Sequence, residues 1–412
     1  MLKKKGDSDM LRGKTVILGV TGGIAAYKTA SLASMLVKLN CNVHVIMTAN
    51  ALNFINPIVF ETLTSNKCLT DTFDRNFKYD VEHIELAKKA DLVIIAPATA
   101  NIIGKIAGGI ADDMLSTTIL ACECKKIIVP TMNTRMFNNE IVQNNICKLE
   151  RYGFEITAPV SGYLACGDIG EGKMPEAEVL LEYILKHIAY VKDMKGVNIL
   201  VTAGPTAEAL DPVRFISNHS TGKMGYAIAK AAMQRGAEVT LVSGKTYIEK
   251  VPFVKHIDVF SAKDMFEAVK GELAVADVVV KAAAVADYRP KHTADNKIKK
   301  SEGDSVIELE RTVDILAYIG KEKRENQYIC GFSMETENML ENSRKKLVTK
   351  NVDMIVANNL KEKGAGFAKD TNVVTIITSE TIKEIGLLSK IETAHKILDN
   401  IMEQRISKNS IK

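Results

Sequence analysis

The chain has 412 residues, 46% hydrophobic and 25% charged, the balance of a globular protein rather than a disordered or fibrous one. Lys and Arg number 54 against 50 Asp and Glu, and a net charge of +4 is too mild to imply a nucleic-acid partner. Trp is absent and aromatics are 6%, so a stacking platform for single strands is not expected.

The basic start has no apolar stretch followed by a small-residue cleavage site, and its first apolar run, residues 16–20, has a strand's length. No run approaches the roughly 18 apolar residues of a membrane span, so no membrane partner and a cytoplasmic location are expected. Seven scattered cysteines argue against a disulfide framework, and Cys122 and Cys124 lack a second ligand pair at zinc spacing.

Residues 14–23 read as a strand turning into a helix through Thr21-Gly22-Gly23-Ile24. Such a turn suits either an anion at a helix N-terminus or a plain tight turn. The next strand, residues 43–48, ends in Thr48, a phosphate or ribose contact or a helix N-cap. Residues 90–99 form a strand leading to Pro97-Ala98-Thr99-Ala100-Asn101, whose small residues and hydroxyls suit a flat ligand in a crevice. The strand 126–129 leads to Pro130, Met132, Asn133 and Met136, another edge of that crevice. Residues 161–175 are Gly-rich and irregular, a functional flap or disorder. A helical stretch over 177–190 closes the first half.

Residues 197–205 repeat the opening pattern, and residues 238–243 and 276–285 repeat its later strands. Continuous apolar runs alternating with helices predict two doubly wound, Rossmann-like α/β domains in tandem, 1–192 and 193–412. In the second, residues 211–225 pack hydroxyls, amides and one lysine ahead of a helix, an anion site in outline or a long capped loop. Residues 282–290 end a strand at the crevice, and 288–304 read as a lysine-rich loop. A later helix carries Lys346 and Lys350 at i and i+4, on one face that is either solvated or set against an anion. The tail, 380–412, reads as one or two helices and a frayed end.

Four segments of the first half now occur in a telling order: His83-Ile84-Glu85-Leu86; 97–101; Pro130-x-Met132-Asn133-x-x-Met136; and Ala165-Cys166-Gly167-Asp168-x-Gly170-x-Gly172-Lys173-Met174. Together they resemble the homo-oligomeric flavin-containing cysteine decarboxylases of the phosphopantothenoylcysteine type. The resemblance implies a flavodoxin-like first domain holding FMN. It places Gly22, Gly23, Ile24, Thr48, Pro97, Ala98, Thr99, Asn101 and Met132 around the cofactor. It makes Cys166 the proton donor, His83 an active-site histidine and Asn133 the holder of the substrate carboxylate. An amide can donate to a carboxylate without adding a full charge, so loss of CO2 is not opposed by a strong ion pair.

The second half carries Ser217-Asn218-His219-Ser220, Gly222-Lys223-Met224-Gly225, Ala286-Asp287-Tyr288-Arg289 and Lys297-Ile298-Lys299-Lys300. This set resembles the bacterial phosphopantothenate–cysteine ligases, in the form fused to the decarboxylase. The resemblance implies CTP and Mg2+, with metal ligands unassigned, and 4′-phosphopantothenate and L-cysteine as further substrates. It places Ala283, Asp287, Lys297, Asp314, Ile315, Leu316, Ala317, Phe332, Lys346 and Lys350 at the nucleotide. Asn218 would stabilise the acyl intermediate, and Lys297 would assist the second half-reaction. It also implies a dodecamer through the first domain and dimers of the second. Three departures stand out: Ala207 where an arginine is usual, Val313 where a proline is usual, and Lys281 inside an apolar strand end.

Two other readings remain open on residues alone. A flavin-binding regulatory protein of the halotolerance type shares the first fold, but His83, Cys166 and a complete second half count against it. A nicotinamide-dependent enzyme is disfavoured by the missing GxGxxG.

Overall fold

The computed structural model describes residues 9–72, 82–163, 169–299, 306–335, 339–359 and 369–410. The chain divides into two compact units, Met1–Tyr190 and Val191–Lys412.

The first unit alternates strands and helices: β1 (Thr15–Val20), α1 (Ala26–Lys38), β2 (Asn42–Met47), α2 (Pro57–Thr64), α3 (Glu82–Lys89), β3 (Leu92–Ala98), α4 (Ala100–Gly108), α5 (Met114–Ala121), β4 (Lys125–Pro130), α6 (Thr134–Phe137), α7 (Glu140–Arg151) and β5 (Glu155–Ile156). Its parallel sheet has the order β2-β1-β3-β4-β5, that of a flavodoxin-like fold. Strand alternation decides which face each side chain serves. Val16, Leu18 and Val20 of β1 join the core under α1, while Ile17 joins the core under α4 and α5. Both faces are covered, so the strand is apolar throughout rather than alternating.

The stretch 161–175, expected as irregular, instead contributes an antiparallel hairpin, β6 (Val160–Tyr163) and β7 (Ile169–Lys173), before α8 (Ala177–Ile188). Cys166 lies outside the described residues.

The second unit contains β8 (Asn198–Ala203), β9 (Ala207–Ala209), β10 (Phe215–Ser217), α9 (Lys223–Gln234), β11 (Glu238–Ser243), β12 (Lys255–Asp258), α10 (Ala262–Leu273), β13 (Val278–Lys281), β14 (Tyr288–Pro290), β15 (Leu309–Arg311), α11 (Ile315–Glu322), β16 (Tyr328–Glu335), α12 (Met339–Thr349), β17 (Met354–Asn359), β18 (Thr371–Thr378), β19 (Ile382–Ser389) and α13 (Lys390–Ser410). The main sheet runs β12-β11-β8-β13-β16-β17-β18-β19, parallel as far as β17, with β18 and β19 antiparallel. Its first six strands follow the doubly wound order 3-2-1-4-5-6 within the unit. Chain order therefore reverses between β8 and β13, where a crevice opens.

The tail differs from its expected helices. Residues 382–389 form a strand, because antiparallel pairing with β18 buries Ile385 and overrides the helix-forming Lys and Glu around it. Residues 288–304, expected as a loop, begin with β14, which pairs with β15.

Candidate active sites

In the first unit the turn after β1 is stitched to the end of β3. The buried Thr21 Oγ1 donates to Pro97 O at 2.7 Å and accepts from Thr99 N at 3.1 Å. Thr29 Oγ1 donates to Ala96 O at 2.6 Å. Between the turn and β3 lies a cavity of about 480 Å³ whose walls include Gly22, Gly23, Ile24, Thr99, Met132 and Asn133. Its rim carries Ile24, Tyr27, Met136 and Tyr163, each at least half exposed, an apolar border of the kind that covers a flat ring. No side chain caps the start of α1 at Ala25, so its first amides favour an anion such as a phosphate. These features fit a flavin mononucleotide.

Asn133 serves two purposes. Its Oδ1 accepts from Arg135 N at 2.8 Å and caps α6, and the residue also lines the cavity. Strand β7 is fastened beside it. Met132 N donates to Gly172 O at 3.1 Å, and Thr134 Oγ1 donates to Glu171 O at 2.8 Å. Gly172 has φ +132°, and a Cβ there would lie 2.1 Å from Met132 O, so only glycine allows this approach. Lys28, one turn into α1 and on the cavity wall, pairs with Glu176 Oε1 at 2.6 Å just beyond the hairpin.

The remaining expected residues stand elsewhere. Pro97 and Ala98 are buried in β3, with Pro97 contributing its carbonyl to Thr21. Thr48 opens a short 3-10 turn, Ala49–Asn53, and its N–H donates to Val20 O at 3.0 Å. Asn101 is exposed on the first turn of α4, and His83 lies on α3, outside the lining of this cavity.

The second unit has a cavity of about 490 Å³ at the carboxyl ends of β13, β16 and β17, beside the start of α9. Asn218, Ala283, Asp287, Phe332 and Lys346 of the expected residues line it. Four lysines, Lys223, Lys281, Lys346 and Lys390, face one carboxylate, Asp287, in that lining. Burial pushes Lys281 down to about 8, aided by Lys346 and opposed by Asp314 and Asp287. Burial likewise takes Lys390 to about 8, aided by Lys223 and opposed by Asp370. A pocket lined by four lysines, two of them buried enough to resist charging, suits a polyanion.

Local structure explains the walls. Gly222, at φ +80°, is the N-cap of α9, and no side chain caps that helix. Asn218 Nδ2 donates across the crevice to Ala284 O at 3.0 Å. Two buried hydroxyls shape the opposite wall: Ala283 N donates to Thr202 Oγ1 at 3.1 Å and Ala286 N to Thr206 Oγ1 at 2.9 Å.

The other expected nucleotide residues lie outside the lining. Asp314 caps α11 through Ala317 N at 2.9 Å and pairs with Lys350 at 2.7 Å. Ile315 and Leu316 are core residues in the first turn of α11. Lys297 is exposed in the segment 291–299. That segment is clamped by Asp211, which accepts from Ile298 N at 3.1 Å, and by Arg214 Nη2, which donates to Ile298 O at 2.5 Å.

Comparison with known proteins agrees with this division. The Flavoprotein family model matches residues 4–189, and the model for the DNA/pantothenate metabolism flavoprotein C-terminal domain matches residues 194–404. The coenzyme A biosynthesis bifunctional protein CoaBC of Bacillus subtilis is 46% identical over 396 residues, covering 95% of this chain and 97% of the relative. This chain belongs to the CoaBC family. The Escherichia coli K12 CoaBC protein is 41% identical over 402 residues, covering 97% of this chain and 99% of its own. A crystal structure of the C-terminal domain of a CoaBC protein matches 51% of this chain and 96% of that one at 46% identity, with a TM-score of 0.44.

Several residues at or behind the two linings were passed over by sequence reasoning. Lys28 and Lys390 gave no signal beyond charge at a helix start, and Thr202 and Thr206 none beyond hydroxyls at a strand end. Lys281 was visible only as an oddity in an apolar run. Among the described residues no cluster of three or more His, Cys, Asp or Glu side chains could hold a metal ion. Mg2+ held mainly by substrate phosphates and water needs no such cage, and Asp287 is the carboxylate at hand. No helix among the described residues is long and apolar enough to cross a membrane.

Proposed function

We propose that the two cavities carry out two consecutive reactions on one metabolite. The chain is a bifunctional enzyme of coenzyme A biosynthesis, a phosphopantothenate–cysteine ligase and an FMN-dependent phosphopantothenoylcysteine decarboxylase. The observation that carries this reading is the pairing of an apolar, ring-sized cavity in one unit with a lysine-lined crevice in the other.

In the ligase unit the carboxylate of 4′-phosphopantothenate attacks the α-phosphorus of CTP, and the bond to pyrophosphate breaks. The acyl cytidylate is then attacked by the amine of L-cysteine; the acyl–oxygen bond breaks, CMP leaves, and the amine loses a proton. Lysines of the crevice, with Mg2+, offset charge developing on the phosphates. Asn218 contacts the acyl group, Asp287, Phe332 and Lys346 hold the nucleotide, and Lys297 acts in the second step from its clamped segment. Asp314, Ala317 and Lys350 border the nucleotide from the start of α11 and the end of α12, Ile315 and Leu316 through their backbone.

In the decarboxylase unit Gly22, Gly23, Ile24 and the start of α1 hold the cofactor's phosphate, while Thr99 and Met132 flank its ring. Bound FMN supplies a reversible two-electron acceptor for the thiol-bearing carbon. Asn133 orients the substrate carboxylate, and Cys166 delivers a proton to carbon after CO2 leaves. His83 reaches the site in a homo-oligomer, from a neighbouring copy. A dodecamer through this unit, dimers of the other, and a cytoplasmic location complete the proposal.

Purified protein tests it directly. A flavin absorbance spectrum and pyrophosphate release dependent on CTP, phosphopantothenate and cysteine are expected. Protein that cannot be loaded with FMN refutes the first half, and no pyrophosphate release refutes the second.

A further inference from the structure

Strand β13 reads Val278, Val279, Val280, Lys281, and its three valines are fully buried. A central strand covered on both faces is the place where a lysine costs most. Lys281 is nevertheless paired in register with Thr202 of β8 and Gly331 of β16, at the floor of the ligase crevice. Strand alternation puts its side chain on the face of Val279, the side covered by α11 and α12.

The protein's own groups do not balance its charge. Its Nζ donates to Ala283 O at 3.2 Å, a neutral carbonyl. The charged groups facing it are Lys346 from α12, Asp314 from the start of α11, and Asp287 from the loop after β13. Asp314 is already held by Lys350 at 2.7 Å and by Ala317 N. Lys346 adds repulsion while donating to Phe332 O at 3.1 Å. On the other side of the cavity stand Lys223 and Lys390, with His219 also in the lining. Asp287 and Asp314 thus favour charge on Lys281, but Asp314 is shared with Lys350.

We propose that Lys281 is a nucleotide-binding residue of the ligase, its ammonium meeting a phosphate oxygen of the bound nucleoside triphosphate. This rests on reading the second unit as a nucleotide-dependent ligase. Binding then does two things at once: it supplies the missing negative charge, and it draws a proton onto a lysine that is only partly charged beforehand. Because burial and Lys346 set Lys281 near 8, the free protein loses that charge as pH rises from 7 to 9, and nucleotide affinity falls with it. Lys390 titrates in the same range, so it must be separated from Lys281 by experiment.

The test is calorimetric titration of the full-length protein with CTP and Mg2+, in two buffers of different ionisation heat, at pH 7.5 and 8.5. Wild type is expected to take up a substantial fraction of a proton at pH 8.5. Lys281→Met, of similar length but uncharged, is expected to weaken CTP binding about tenfold at pH 7.5 and to abolish most of the uptake. Lys281→Arg keeps a permanent charge and is expected to bind CTP but to lose the Lys281 share of the uptake. Lys390→Met is expected to retain the Lys281 share of the uptake. Circular dichroism and the melting temperature of each variant report folding, and Lys281→Arg with the wild-type uptake decides the matter if Lys281→Met does not fold. CTP binding by wild type without proton uptake, or uptake lost only in Lys390→Met, overturns the role of Lys281. Wild-type protein that binds no CTP overturns the reading of the crevice itself.

Discussion

The two units share a plan and differ in what they place on it. Each is a doubly wound sheet, and each opens its cavity where chain order reverses, at β1/β3 in the first and β8/β13 in the second. In the first, the wall is small residues and exposed apolar side chains, and Lys28 is neutralised by Glu176. In the second, four lysines crowd a lining with one carboxylate. Topology sets where a ligand sits; the side chains at strand ends set whether it is a ring or a chain of phosphates.

The comparison breaks most sharply if the chemistries can be removed separately. Cys166→Ser is expected to stall after CO2 loss, lowering steady-state formation of 4′-phosphopantetheine by about 10²–10⁴-fold with CO2 limited to about one equivalent per site, while pyrophosphate release stays unchanged on the same preparation. A parallel fall in both activities would show that the units do not act independently. Asn218→Asp is expected to reduce amide formation about 10²–10³-fold and to spare CO2 release from supplied phosphopantothenoylcysteine.

Stability sharpens the same contrast with smaller effects. Gly172→Ala forces a Cβ towards Met132 O at a φ of +132°, and is expected to cost about 1–3 kcal/mol and to weaken FMN retention, read by thermal melting and flavin release. Ligase activity should not follow it. The smallest effect concerns pH. Burial works against charge on Glu155, but hydrogen bonds from His187 and Lys186 prevail and hold it at about 2. Its folded pKa is below its unfolded value of about 4.3, so its contribution is full above that value and is lost as pH falls through about 2. Glu155→Gln is therefore expected to destabilise the first unit by about 1–2 kcal/mol at pH 7, with the gap to wild type closing below pH 4 in denaturant titrations.

Much of this was legible before any coordinates. The strands β1, β2, β3, β8, β11 and β13 are continuous apolar runs because helices cover both faces, and such runs announce themselves. Gly22, Gly23, Thr99, Met132, Asn133, Asn218 and Asp287 follow strand ends, the place where a doubly wound sheet presents ligand contacts. Strand β19 was read as helix because its partner, β18, is what makes it a strand. The hairpin β6–β7 hid behind glycines that signal irregularity, although Gly172 in fact permits a backbone contact. Lysine roles were least readable. Lys350 and Lys346 are indistinguishable by spacing, yet one is paired with Asp314 and the other lines the cavity.

Asp211 and Arg214 precede α9, while the segment they grip follows β13. The stretch ahead of α9 and the stretch after β13 are therefore buckled together. Moving the two segments apart would break both hydrogen bonds to Ile298, while the Asp211–Arg214 salt bridge stays on its own side and keeps the clamp in shape. Lys297, the neighbour of Ile298, is thus moored by the backbone beside it rather than left to swing with a surface loop.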